Sequence, residues 1–477
     1  MKYDIIIIGA GLGGLTAGAK LTREGKKVLV IEQHNQPGGC ATTFKRGNFT
    51  LEVGLHEMDG PSPRDMKTRI FNDLDVFTNV EFIKVPEFYR FINDRYSVTI
   101  PHEPEIAIER LSELFPTEKE GIKAYFDQLL ATPKRTEGKD NNVADFLDSI
   151  INNDDLKLIL LGNIGYFHDD PCSLSLAYYT MAQRSYYTGG ASFIKGGSQK
   201  LSDHLAAYLK DHGGELLFNH IVTGISTDGN KVTGVTYKKK NDPDSQEMKA
   251  MAGEIVANNA VPNVARLLPP ETGREINKEI SSLKCGASLL TVYLGFSRPP
   301  RELGHNYYST ALFDGSVRSI RDIYRNNNDD FSRRSFIFVD YGQVDSGLAP
   351  AGKSVGAICC VDYLKDWENL DKKEYASKKK QITETLIQRL DKIIPGIKNI
   401  IEYSETGTSS TVRHYTLNPG GAVYGFAQTP SRKTFDSFKL LDNLYFASAW
   451  GKAGGGFSGA IIGGYLCAYN MLRKRHT

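Results

Sequence analysis

Gly9, Gly11 and Gly14 fall in the run Gly9-Ala10-Gly11-Leu12-Gly13-Gly14, directly after Ile5-Ile6-Ile7-Ile8. Glu32 closes the next apolar run, Val28-Leu29-Val30-Ile31. These residue types at this spacing suit the grip on a dinucleotide diphosphate. Gly9 permits a tight turn. Gly11, with no Cβ, lets the backbone approach a pyrophosphate, and Gly14 lets helix and strand pack closely. The helix N-terminus that follows Leu12 and Gly13 would offer unpaired N–H groups and a partial positive charge to the phosphates. Glu32, followed by Gln33, can accept hydrogen bonds from an adenosine ribose. This chemistry needs its elements in order: a buried parallel strand ending at Ile8, a helix from Leu15 to Glu24 stopped by Gly25, and a strand over Val28–Ile31.

The next residues favour FAD over a nicotinamide dinucleotide. In Gln36-Pro37-Gly38-Gly39-Cys40-Ala41-Thr42 the glycine doublet can approach the pyrophosphate from its other side. Near the C-terminus, Asn443–Ala449 reads as a strand, Gly451–Gly459 as a glycine-rich loop and Ala460–Leu472 as a helix. Gly454-Gly455-Gly456-Phe457-Ser458-Gly459 repeats the glycine spacing, but no further strand and acid follow it. The better reading is a helix N-terminus aimed at the flavin pyrimidine edge, where negative charge gathers on reduction. A third block opens with Lys195-Gly196-Gly197-Ser198 before a helix over Leu201–Lys210. Strands follow at Glu215–Phe218 and Val222–Ser226, then the turn Asp228-Gly229-Asn230 and a strand over Val232–Thr236. Gly253–Ala260 re-enters the sheet. The cofactor domain is therefore expected to comprise three separated segments.

The fingerprint, the Gly38-Gly39 loop, Thr50-Leu51-Glu52-Val53-Gly54, Lys195-Gly196-Gly197-Ser198 and the C-terminal glycine block together resemble the phytoene desaturase superfamily of FAD-dependent oxidoreductases. Glu32-Gln33-His34, Gly38-Gly39-Cys40 and Gly54-Leu55-His56 look most like its carotenoid isomerase and retinol saturase branch. The resemblance implies an α/β fold of amine-oxidase-like architecture. A Rossmann-like, glutathione-reductase-type FAD-binding domain would be joined to an α+β substrate domain. The expected division is 1–75, 190–285 and 405–477 for FAD, and 76–189 with 286–404 for substrate. By family pattern Gly9, Gly11, Gly14, Glu32, Gly39 and Thr42 would contact the dinucleotide part of FAD, and Val222 would pair its backbone with adenine. Gly455, Phe457, Ser458 and Gly459 would sit at the flavin end. Many relatives bind the ribityl chain with an acidic residue after the C-terminal strand. This chain has Ala447-Ser448-Ala449-Trp450 there, so Ser448 takes that place or the contact is absent.

The chain of 477 residues carries a net charge of +2, which predicts no nucleic-acid partner. Lys238-Lys239-Lys240, Lys378-Lys379-Lys380 and Arg473-Lys474-Arg475 read as solvated surface, as does the polar loop Asp140–Asn142. No stretch is long enough to span a bilayer, and the N-terminal apolar run enters the fingerprint rather than a cleavage site. A cytoplasmic protein is expected, with peripheral membrane contact left open because apolar polyenes partition there. The six cysteines form neither a disulfide nor a metal pattern. Cys40 lacks the second cysteine of a redox pair and reads as a small filler near FAD. Cys359-Cys360 reads as core.

Tyr375–Ile394 is expected to be an amphipathic helix with Ile382, Leu386, Leu390 and Ile393 on one face. Segments 76–110 and 285–360 alternate in the manner of a largely antiparallel sheet, which would floor the substrate site. Tyr178, Tyr179, Tyr186 and Tyr187, and likewise Tyr415, Tyr424 and Phe426, either line a channel for a flat conjugated substrate or fill core. His56 follows the strand expected to approach the flavin. It is the candidate general acid, with Glu57 the second candidate; a hydrogen-bonded structural histidine is the alternative. The favoured activity is desaturation, saturation or cis–trans isomerisation of a long conjugated isoprenoid, a carotenoid or retinoid, beside the flavin. The electron partner would be oxygen, a quinone or a separate reductase. Two other readings stay open: a flavin amine oxidase, for which Cys467 is poorly placed as a covalent flavin anchor, and a prenyl-lipid escort of the GDP-dissociation-inhibitor type.

Overall fold

The computed structural model describes residues 2–63, 65–131, 141–242, 244–430, 432 and 441–474. Asp140 of the expected polar loop and Arg475 of the last basic cluster lie outside them. One sheet runs in the order Glu215–Leu217, Val28–Ile31, Lys2–Ile8, Met248–Ala257, Lys231–Lys239, His220–Asp228, and Leu444–Phe446 also pairs with Met248–Ala257. Lys2–Ile8 is parallel to both neighbours, with Ile5 opposite Val28 and Ile8 opposite Ala257. A strand covered on both faces needs an unbroken apolar run, and the isoleucines divide accordingly. Ile5 and Ile7 pack in the core that holds Leu15, Leu21 and Leu205, whereas Ile6 and Ile8 pack with Val222, Val235 and Val264.

The first helix is Leu12–Arg23, beginning before the expected Leu15. The last, Gly456–Lys474, likewise begins inside its glycine run rather than after it. Glycine lowers helix propensity by about 1 kcal/mol relative to alanine, so the expected starts fell after the glycines. Close packing overrides that preference. A Cβ on Gly13 would lie 1.9 Å from the Ala447 carbonyl oxygen, and one on Gly464 would lie 2.1 Å from that of Gly13. The two helices cross where neither has a side chain.

A second sheet runs Ile401–Gly407, Ser288–Phe296, Ser354–Asp362, Phe336–Asp340, Ser309–Leu312, Tyr89–Ile92, Ser97–Ile100. Its pairings are antiparallel except Tyr89–Ile92 with Ser309–Leu312. Leu290, Val292 and Leu294 point into a core with Ile382, Leu386 and Leu390 of the helix Lys372–Ile393. The alternate residues Leu289, Thr291 and Tyr293 face a cavity. The expected floor is therefore present, with two differences. Phe82–Lys84 leaves this sheet to join Met58–Asp59 and Ala191–Ile194. Ile401–Gly407 carries the second sheet past the expected 404/405 boundary. The vicinal cysteines also split: Cys360 belongs to the core, but Cys359 faces the cavity. Strand alternation requires that split.

Candidate functional site

The two glycine loops close on one another. The Gly38 N–H donates to the Ala10 carbonyl at 2.8 Å, and Gly11 and Gly38 form a short parallel bridge. Gly9 has φ +96°, and a Cβ on Gly14 would sit 2.2 Å from the Gly9 oxygen. Gly14 thus packs behind the turn, as close helix–strand packing requires. Every other expected cofactor residue lines one cavity of about 2200 Å³: Gly9, Gly11, Leu12, Gly13, Glu32, Gln33, Gly38, Gly39, Cys40, Thr42, Val222, Ser448, Gly455, Phe457, Ser458 and Gly459.

Their polar atoms suit a dinucleotide. Glu32 is buried and accepts from the Ala10 N–H at 2.7 Å and the His34 N–H at 2.8 Å. Each carboxylate oxygen keeps a further lone pair for a ribose hydroxyl. Gln33 donates to the Tyr415 carbonyl at 3.0 Å, while its own Oε1 is buried with no partner. That acceptor is the kind of orphan a bound hydroxyl or amine satisfies. Thr42 donates to Gln199 and accepts from Gln36 at 2.7 Å, so its hydroxyl is largely engaged within the protein. The Ser448 hydroxyl accepts from the Trp450 N–H at 3.3 Å. At Gly455 a Cβ would lie 2.4 Å from the Tyr424 Cα, and at Gly459 2.7 Å from the Gly454 oxygen. Sequence reasoning missed Asn258, whose Nδ2 donates to the Gly9 oxygen at 3.2 Å and lies 2.9 Å from where a Gly11 Cβ would be. Its position at the end of a strand parallel to Lys2–Ile8 was the available signal.

Beyond the glycines the cavity runs over the second sheet. Tyr178, Tyr186 and Tyr424 line it, whereas Tyr179 and Tyr187 fill core. Tyr415 lines the other end, and Phe426 packs edge-on against Trp450 at 4.9 Å. Cys40 lines the cavity, and burial pushes its thiol up to about 11. His56 and Glu57 reach it from the segment after Phe49–Glu52. That segment is held from behind: Tyr341 donates to the Leu55 carbonyl and Tyr308 to that of His56. Glu52 fixes its start, accepting from the Ser198 N–H and hydroxyl, each at 2.7 Å, and from the Leu55 N–H at 2.9 Å.

His56 is 8% exposed, its Nδ1 3.3 Å from the Tyr166 hydroxyl. Burial lowers it to about 4. Glu57 is also 8% exposed, and neither carboxyl oxygen has a hydrogen-bond partner. Burial, with the charges of Glu87 and Asp59 adding, pushes this carboxyl well above the usual range. Near it lies an ion cluster absent from the sequence reading. Lys67, 2% exposed, contacts Asp59 at 2.8 Å and Asp65 at 2.7 Å, and Ser458 donates to Asp59. Burial alone would raise Asp59; the Lys67 charge and the hydrogen bonds outweigh it and hold the group below its ordinary value.

The flavin containing amine oxidoreductase family matches residues 12–472, and the chain belongs to it. It is a flavoenzyme whose cofactor is FAD. The all-trans-retinol 13,14-reductase of Danio rerio is 26% identical, the match covering 99% of this chain and 86% of that protein. The chloroplastic prolycopene isomerase of Daucus carota is 26% identical over 98% of this chain and 80% of its own. Among solved structures, an oxidoreductase from Methanosarcina mazei superposes with TM-score 0.68 at 16% identity, covering 99% of this chain and 100% of that one. Putrescine oxidase bound to putrescine gives TM-score 0.64 at 16% identity, with 99% of each chain covered. The amine-oxidase-like two-domain α/β architecture is thus established, and the protein is an FAD-type oxidoreductase.

Proposed function

We propose that the protein reduces or isomerises a long conjugated isoprenoid, a carotenoid or retinoid, with Glu57 as the proton donor. The observation that carries this is a buried carboxyl with no hydrogen-bond partner, pushed well above its ordinary value by burial, in the wall of a cavity floored by Leu289, Thr291, Tyr293 and Cys359. A carboxylic acid in such a setting keeps its proton at neutral pH. His56 is the weaker donor, because burial leaves its imidazole neutral. Its hydrogen-bond distance to Tyr166 fits a positioning role, the structural alternative raised from sequence. Of the three reactions expected, saturation and isomerisation use a held proton, which desaturation does not.

Bound FAD supplies hydride exchange with carbon. The glycine backbones and the head of Leu12–Arg23 hold its diphosphate, Glu32 and Gln33 receive its ribose end, and Gly455 to Gly459 face the flavin. Tyr178, Tyr186 and Tyr424 orient a flat chain and exclude water. The 26% identity to a retinol reductase and a prolycopene isomerase supports an apolar polyene substrate. In this reading 1–75, 190–285 and the chain after Ile401–Gly407 hold FAD, and the remainder builds the substrate chamber. Membrane contact would be peripheral, since no helix among the described residues is long and apolar enough to cross a bilayer. Expression in a carotenoid-accumulating host, with pigments separated by chromatography, tests the reading. A new isomer or a saturated product, lost in Glu57→Gln, is expected. Unchanged pigments together with turnover of primary amines by the purified protein would overturn it in favour of an amine oxidase.

A further inference from the structure

The Lys67 cluster stands in the cavity wall. Lys67 pairs with Asp59 at 2.8 Å and with Asp65 at 2.7 Å, and its Nζ lies 3.5 Å from the Ser185 hydroxyl. All four residues line the cavity, as does Ser458, which donates to Asp59. One cation faces two carboxylates, so the cluster is left with a negative charge in excess. The Asp59 and Asp65 side chains are 15% and 9% exposed and that of Lys67 is 2% exposed, so solvent screens this excess weakly. Ser458 is the third residue of the helix Gly456–Lys474. A helix head offers about half a positive charge. Here the head meets a full carboxylate, and the balance at this corner of the cavity is negative. Two cations that line the cavity elsewhere are wetter: Lys452 is exposed, and Arg184 spends a donor on the Ala131 carbonyl at the surface.

We propose that this cluster sets the reduction potential of the bound flavin and holds it low. The proposal rests on the reading above that Gly455 to Gly459 face the flavin, and it adds the direction in which the ring passes electrons. Two electrons from a separate reductase and one proton from water leave the ring one negative charge richer. A poorly screened negative neighbour opposes that gain, so the reduced ring is a stronger hydride donor. In the return step the hydride goes to one carbon of a double bond, the proton of Glu57 goes to the other, and the ring is oxidised again. The charge of Asp59 also discourages ionisation of Glu57, so one cluster serves the source of the hydride and the source of the proton. Saturation is thereby favoured over desaturation, which needs an oxidised ring that accepts a hydride.

The test measures the midpoint potential of the FAD-loaded protein, reduced with dithionite beside a reference dye. Asp59→Asn removes one negative charge and keeps an oxygen for Ser458. Asp65→Asn removes the other and keeps the helix Met66–Asp73 capped, since asparagine caps as well as aspartate. Each is expected to raise the reduction equilibrium constant about tenfold, the size of a unit-charge interaction across several ångströms of poorly screened protein, which is about 30 mV for a two-electron couple. Asp59→Asn should act more strongly, because Asp59 touches Ser458. Asp65→Asn leaves that tie intact and decides alone if Asp59→Asn does not load flavin. A midpoint that is unchanged or lowered in the loaded variants, whatever the melting temperature does, overturns the proposal. No polyene enters this measurement. A raised midpoint with no pigment converted would overturn the polyene reading alone, and an unmoved midpoint with pigment converted would overturn the role of the cluster alone.

Discussion

The Ser458 hydroxyl, at the head of the final helix, donates to the half-buried carboxylate of Asp59, which Lys67 pairs from its other side. One hydrogen bond thus ties the N-terminal end of the last helix to a segment near the start of the chain. It also spends the hydroxyl of a residue expected to serve FAD, leaving the Ser458 backbone for that purpose. Removing Lys67 would leave Asp59 and Asp65, both half-buried, without their counterion. Lys67→Met is expected to cost about 3–5 kcal/mol of stability, measured by denaturant unfolding of the holoprotein. A loss below about 1 kcal/mol would show that the cluster is a solvated pair of little weight.

Glu57 makes stability fall with rising pH. Its native carboxyl is raised well above the usual value, so above about pH 4.3, the ordinary value for glutamic acid, the unfolded chain releases a proton that the native state keeps. Stability contributed by this group is lost as pH climbs towards the native value. Glu57→Gln should flatten that decline and be more stable than the wild type near neutral pH. Denaturation midpoints at about pH 5 and about pH 8 measure it; parallel slopes for the two proteins would mean that Glu57 is ionised in the fold.

His56 acts in the opposite sense. With its native value lowered to about 4 against an ordinary value of about 6.5, the unfolded state binds a proton between these limits that the native state refuses. Stability should rise with pH across that window and lose this component in His56→Gln. If Glu57 is the donor, His56→Gln keeps the wild-type pH profile of turnover at reduced rate, whereas Glu57→Gln removes the proton-dependent step. A profile displaced by His56→Gln and untouched by Glu57→Gln would exchange their roles.

Gly464 does not line the cavity, yet its substitution should release the flavin. A Cβ there meets the Gly13 oxygen at 2.1 Å, so Gly464→Val pushes the final helix away from the glycine turn that the proposed function assigns to the diphosphate. Flavin absorbance after gel filtration reports the outcome; full retention would mean that the helices have room to separate without disturbing the turn.

The parts legible in sequence were those whose signal is local. Ile5 to Ile8, the fingerprint glycines, Glu32 and the Gly38-Gly39 doublet lie close together, and each needs a particular backbone. The alternation in Ser288–Phe296 likewise announced a floor with one face in core and one in cavity. Glu52 with Ser198, and Asp59 with Ser458, carry no local signal, because each partner is meaningful only once distant segments have met. Helix starts were misplaced for a related reason: Gly13 and Gly464 look like breakers until the opposing backbone is seen. His56 and Glu57 were adjacent candidates that sequence could not separate. What separates them is opposite response to the same dry surroundings, one losing its charge by shedding a proton and the other by keeping it.

The strand Leu444–Phe446 pairs beside the sheet that Lys2–Ile8 begins, and the helix after it lies across Leu12–Arg23. The cavity lined by the N-terminal glycine loop is thus completed by a segment synthesised long after that loop. Loading with flavin must wait until translation has passed the glycine block, and nascent chains stalled short of it should emerge colourless and dependent on chaperones.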